Sequence, residues 1–224
     1  MLLLAVDTSG KHGSIALARC GPDDACEIVE TTPLPGGMFS AALVPEIATL
    51  LGKHGFGKKD IDAFAVVSGP GSFTGLRIGL AVVKALAEVL AKPIAAISLL
   101  EAVGTSAHAQ GRVTAVLDAG RKEVFLGEYE FRGTATKMIR EHLLTRDRWL
   151  ESPGDGLTVT PDAVLAEAAR TKGFQPLEVA PLRADAIARL GCRKIAAGET
   201  VSPEALEAKY IGQSDSEIFV KSGT

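Results

Sequence analysis

The chain has 224 residues, 46% hydrophobic and 23% charged, enough for one large globular domain or two lobes of about 100 residues, each with a sizeable core. A net charge of −3 and a pI near 5.9 exclude a strong whole-chain field toward nucleic acid or anionic membrane. Cys20, Cys26 and Cys192 are odd in number and lack metal-type spacing, which predicts reduced thiols in a cytoplasmic setting, each a small core or loop residue.

Residues 2–8 form an apolar run that ends in Asp7-Thr8-Ser9-Gly10. Two further runs, 13–18 and 27–31, follow short polar turns, so the chain opens with three antiparallel strands. The start lacks a basic region and reaches a carboxylate too early for a signal peptide. A helix is expected over 40–53, with Leu43, Val44, Ile47, Leu50 and Leu51 on one face and Pro45 either in its first turn or kinking it.

The run 63–67 suits a strand and breaks at Gly69-Pro70-Gly71. A helix then begins at Gly75 and continues to about residue 91. A strand, a glycine turn and a helix start aim backbone N–H groups at one point, where an anion can be held. The plainer reading is a tight turn that needs glycine for packing. No Gly-Lys-Ser/Thr follows, so a P-loop is excluded.

In the helix that follows, Arg77, Lys84 and Glu88 form one narrow polar stripe, and the remainder is apolar or small. Lys84 and Glu88 also interrupt the longest apolar helical run, so no membrane span is expected. Ala81, Ala85 and that stripe are expected to face a second chain, together with Phe39 and Ser40, while Leu86 is placed toward the sheet. Burial of the helix within one chain is the alternative.

A short strand over 93–97 and a helix over 98–108 lead to Gly111, a lobe boundary that gives lobes 1–110 and 111–224. The opening pattern then recurs: 113–117 is apolar and ends in Asp118-Ala119-Gly120. Strands are expected over 123–129 and 137–143, and helices over 162–172, 183–197 and 203–209. The tail 212–224 is polar apart from Ile218-Phe219-Val220. Two lobes with the same opening suggest a duplicated α/β fold.

Asp7-Thr8-Ser9, the run Ser68-Gly69-Pro70-Gly71-Ser72-Phe73-Thr74-Gly75-Leu76-Arg77-Ile78-Gly79, Ser98-Leu99-Leu100-Glu101-Ala102, Leu117-Asp118-Ala119 and Glu123-Val124-Phe125 together resemble the TsaB family of tRNA threonylcarbamoyladenosine biosynthesis proteins, a glycoprotease-like (M22 peptidase-like) family. The match is dense over 1–130 and weak beyond. It implies an actin-like ATPase fold of the sugar kinase and heat-shock ATPase class, in two lobes of mixed sheet with helices. It also implies pairing with the related catalytic subunit TsaD, recruitment of the ATPase TsaE, and a threonylcarbamoyl-adenylate made by TsaC. tRNA is then reached through the complex, and the chain alone is expected to form a homodimer.

Three positions set the chain apart from TsaD. A His-x-x-x-His metal pair of TsaD falls at Leu99 and Val103, and the four histidines here contain no such pair. Lys11-His12 stand where TsaD has a second carboxylate, and Asp118-Ala119-Gly120 replaces its Ser-Gly-Gly phosphate turn. A carboxylate there repels phosphate. The resemblance therefore implies a non-catalytic subunit with no metal and no cofactor of its own, ATP or ADP entering only at the level of the complex. Asp7, Thr8, Ser9 and Asp118 are left as a vestigial nucleotide cleft, with Asp7 and Asp118 serving as turn caps.

Two departures from TsaB are Phe39-Ser40-Ala41, where the family has His-Ser-Glu, and Tyr210-Ile211-Gly212, which lacks an Arg. The alternatives are an ATP-using kinase or ATPase of the same fold, or a peptidase, for which no catalytic elbow is present. The segment Arg132, Lys137, Arg140, Arg146, Arg148 is either a solvated face or a tRNA contact. The single Trp149 offers no base-stacking platform.

Overall fold

In a computed structural model, residues 1–22 and 25–212 are described. The expected opening strands are β1 (Leu2–Asp7), β2 (Gly13–Cys20) and β3 (Cys26–Leu34), paired antiparallel in series. After α1 (Phe39–Lys53) comes β4 (Ala63–Gly69), parallel to β1. After α2 (Phe73–Leu90) comes β5 (Ile94–Ser98), parallel to β4. The sheet order is β3-β2-β1-β4-β5.

Every residue of β1 and β4 is buried, because helices cover both faces of these central strands. Val6 points to the face that carries α2. Leu3 and Ala65 point to the opposite face, where the last helix, α6 (Ala184–Ala196), lies across the sheet. Pro45 lies inside α1, past its first turn. The Ala41 carbonyl that it leaves without a helical partner is on the exposed side, where water can satisfy it.

The second half repeats the first, element by element. β6 (Gly111–Gly120), β7 (Glu123–Arg132) and β8 (Ala135–Thr145) are antiparallel in series. α4 (Arg146–Glu151) leads to β9 (Leu157–Thr160), parallel to β6, and α5 (Ala163–Thr171) leads to β10 (Leu177–Glu178), parallel to β9. The order β10-β9-β6-β7-β8 is the order of the first sheet. One core here comprises Val116, Val124, Leu126, Trp149, Leu150, Leu165 and Ala169. Sequence alternation does not reveal β9 and β10, since four and two residues are too few to show a period.

The helix that ends each half is exchanged. α3 (Leu99–Ser106) follows the first sheet in sequence but packs on the second: Gly104 lies beside Phe131 and Tyr129, and the Leu100 Cβ lies against Gly127. α6 follows the second sheet and packs on the first. The units are accordingly Met1–Leu99 with Leu182–Lys209, and Leu100–Pro181 with the chain from Tyr210. A simple cut at residue 110 does not contain this exchange.

Two local expectations are corrected. Residues 203–205 form a turn and 206–209 have no regular structure, so the helix expected over 203–209 is absent. Val201 pairs with Ile94 and the Lys209 N–H donates to the Ser68 carbonyl at 2.7 Å, so the segment is stretched along the sheet between two anchors. The cysteines are not three separate thiols: the fold joins Cys20 to Cys192 in a disulfide and brings Cys26 beside them. Residues 172 apart in sequence leave no spacing signal for this pairing. No described helix is long and apolar enough to cross a membrane. The expected apolar tail segment Ile218-Phe219-Val220 lies outside the described residues.

Candidate functional site

The signature run forms the end of β4, a turn and the start of α2, and it is packed against the Asp7-Thr8-Ser9 turn that ends β1. The Thr8 hydroxyl donates to the Gly75 carbonyl at 2.8 Å. A Cβ at Gly75 would stand 2.0 Å from the Thr8 carbonyl oxygen, and one at Gly79 would stand 2.3 Å from Thr8 Oγ1. These two glycines let α2 lie directly on the turn, a closeness that no side chain permits.

Two backbone donors of the loop are engaged in packing it. Ser72 N–H donates to the Ser9 carbonyl at 2.6 Å, and the Ser72 hydroxyl accepts from Gly75 N–H at 3.3 Å as the N-cap of α2. The Ser68 hydroxyl donates to the Ile97 carbonyl, and Ser68 and Pro70 are buried. These bonds, with the close contacts of Gly75 and Gly79, pack the turn against the end of β1. A cavity of about 340 Å³ opens beside it, lined in part by Gly10, Lys11, Phe39, Ser40, Thr74 and Ile78.

Asp7 is buried, and its Oδ1 accepts from the Ser9 N–H at 2.9 Å and the Ser9 hydroxyl at 2.6 Å. Burial pushes its carboxyl up from the ordinary carboxylate range, with the two Ser9 bonds opposing.

α2 buries Leu76, Leu80, Val83 and Ala87 and leaves Arg77, Ala81, Ala85 and Glu88 exposed along one side. Lys84 is half-buried, and its Nζ donates to the Glu204 carbonyl at 3.3 Å. Leu86, expected toward the sheet, is half-buried, and Val83 occupies that position. Phe39 is buried under Gly13, whereas Ser40 is exposed. Val44, expected on the buried face of α1, is 53% exposed, because Leu43, Ile47, Leu50 and Leu51 already fill that face.

The exposed side also holds a stack between two residues of the signature run whose pairing the sequence reading did not anticipate. Phe73 is 55% exposed, and the Arg77 guanidinium lies 3.8 Å over its ring, one helical turn on. The four-residue spacing of an aromatic and an arginine was the available signal.

In the second unit Asp118 is exposed near the end of β6 and pairs with Arg146 at 3.3 Å. Arg132 pairs with Glu130 at 2.7 Å and Arg140 with Glu128 at 2.6 Å. Three of the five basic side chains of the segment are thus paired with carboxylates of the same unit. Trp149 is fully buried in the core. Among the described residues no group of three or more His, Cys, Asp or Glu is arranged to hold a metal ion.

The family model for TsaD, tRNA N6-adenosine threonylcarbamoyltransferase, matches residues 38–200. The TsaB tRNA threonylcarbamoyladenosine biosynthesis protein of Bacillus subtilis is 32% identical over 153 residues, 67% of this chain and just under two thirds, 65%, of that relative. The TsaB protein of Escherichia coli is 28% identical over 223 residues, 94% of each chain. The solved structure of YeaZ from Pseudomonas aeruginosa superposes with a TM-score of 0.74 at 28% identity, covering 94% of this chain and 99% of that one. The two repeated sheets with their helices are an actin-like ATPase-type fold.

Proposed function

The chain belongs to the TsaB family of tRNA threonylcarbamoyladenosine biosynthesis proteins, and on that footing we propose that it serves there as the non-catalytic partner of the transferase TsaD. The observation that carries this reading is the exposed side of α2. Arg77, Ala81, Ala85 and Glu88 lie in one row beside the Phe73–Arg77 stack, and Val89 at the far end is 77% exposed. Small residues flanked by an aromatic and an arginine admit a second helix at close range, and such aromatic and arginine anchors are favoured at interfaces.

In this reading TsaD carries the metal and transfers the threonylcarbamoyl group, supplied as the adenylate by TsaC, to adenosine in tRNA reading codons that begin with A. TsaE joins the pair, and any ATP or ADP is held at the level of the complex. Without TsaD the same face pairs two copies of this chain. By the resemblance, Leu99 and Val103, which is buried, fall where TsaD has its metal ligands, and neither can ligate. The engagement of Asp7 by Ser9 supports the same side of the choice against an independent kinase or ATPase.

The test is co-expression with TsaD of the same organism. The two chains should co-elute in size-exclusion chromatography, and Ala85→Trp should weaken co-elution while the variant melts like the parent. Co-elution unchanged by Ala81→Trp and Ala85→Trp would move the partner surface elsewhere. ATP turnover by the pure chain, lost on Asp7→Ala, would replace the scaffold reading with the enzyme.

A further inference from the structure

The chain's three cysteines meet at one point of the first unit. Cys20 ends β2 and Cys26 opens β3, and the two are register partners across the hairpin. Cys192 lies in α6, almost fully buried, one residue after Gly191, where the helix presses on Ala65. Cys192 is disulfide-bonded to Cys20 with their Cα atoms 5.5 Å apart. The Cys26 thiol is half-buried, and its Sγ stands 3.5 Å from Cys192 Sγ. One buried sulfur thus has two cysteine neighbours, one bonded and one within reach of attack.

We propose that this triad is a thiol–disulfide exchange site in which Cys192 is the common partner, clipping α6 to the β2–β3 hairpin and opened by small dithiols. In the exchange the Cys26 thiolate forms a bond to Cys192 Sγ and the Cys192–Cys20 bond breaks. The electron pair leaves on Cys20, which takes up the proton that Cys26 lost. No outside oxidant is consumed. In the opening step a dithiol gives two electrons and two protons to Cys20 and Cys192 and becomes a disulfide itself.

The surroundings support the exchange. Arg189, one turn before Cys192, donates to the Cys26 carbonyl at 3.1 Å and holds the hairpin end against the helix. Cys20 is the bonded partner and Cys26 the waiting one; burial pushes the Cys26 thiol up, with Arg189 opposing, so it must lose its proton before it attacks. The clip anchors the exchanged helix to the sheet that it covers.

The experiment uses the full chain, treated with oxidised glutathione or with dithiothreitol, then mapped by alkylation and mass spectrometry and melted. The oxidised parent should carry one Cys20–Cys192 link with Cys26 alkylated, and should melt about 5–10 °C above the reduced form. Cys26→Ser should keep that link. Oxidised Cys20→Ser should form a Cys26–Cys192 link and retain most of the rise, whereas Cys192→Ser should show no rise. Alkylation of both Cys26 and Cys192 in oxidised Cys20→Ser would overturn the proposal. So would equal melting of the oxidised and reduced parent, or a rise that persists in Cys192→Ser.

Discussion

Asp7 illustrates how a residue type common in catalysis can act as a structural cap. Its carboxylate closes the turn through Ser9, and its burial disfavours the ionised form. Because the folded value is raised, the associated stability is fully present below about pH 4 and is lost as pH rises through the folded value. Asp7→Asn keeps an acceptor for Ser9 and removes the buried charge. That variant should be at least as stable as the parent at neutral pH and should lack this part of the pH dependence, read from urea melts at pH 4 and pH 8.

Gly79 tests the contact beneath α2. A methyl at Gly79 meets Thr8 Oγ1, so Gly79→Ala should cost roughly 1–3 kcal/mol. Thr8→Ala removes the obstructing hydroxyl together with its bond to Gly75. The double variant should therefore lose less than the sum of the two single losses in a double-mutant cycle.

At the scale of the element, α2 divides its residues between two duties. Leu76 and Leu80 are buried, and Leu80→Ala should lower stability by about 2–5 kcal/mol in a denaturant melt without a specific effect on association. Ala81→Trp and Ala85→Trp, on the exposed side, should change the melt little and weaken association. The division follows from the helical period, which puts residues 76, 80, 83 and 87 on one side and 77, 81, 85 and 88 on another. β8 shows a different use of an exposed edge. Its one arginine, Arg140, pairs with Glu128 on β7 and helps to keep the edge charged and solvated. The isolated chain, at −3 net charge, should then bind tRNA only weakly in a filter assay at physiological salt. Tight binding lost on Arg140→Glu would turn that edge into an RNA contact.

For the whole molecule, the exchange of α3 and α6 decides what can fold alone. Without α6 the first sheet loses the cover supplied by Ile187, Ala188 and Leu190, residues buried in the full chain. A fragment of residues 1–110 should therefore be unfolded or aggregated, and so should 111–224, which lacks α3. The two expressed together should recover a cooperative melt and soluble yield. Independent folding of 1–110 would show that α6 is dispensable to the first sheet.

The chain itself determined the family, through a glycine run whose steric purpose is visible in the contacts of Gly75 and Gly79 with Thr8. It also determined the duplicated opening, the three antiparallel strands and the polar stripe of α2, because period and turn chemistry are local properties. Only the tertiary structure decided which sheet each terminal helix covers, that 203–209 is stretched between two anchors, and that Val44 is exposed while Val83 is buried. It alone brought Cys192 to Cys20 and Cys26 and paired the basic segment with Glu128, Glu130 and Asp118. These are contacts between residues far apart in the chain, or choices between two faces that local pattern leaves equivalent, and packing supplies the energy that separates them.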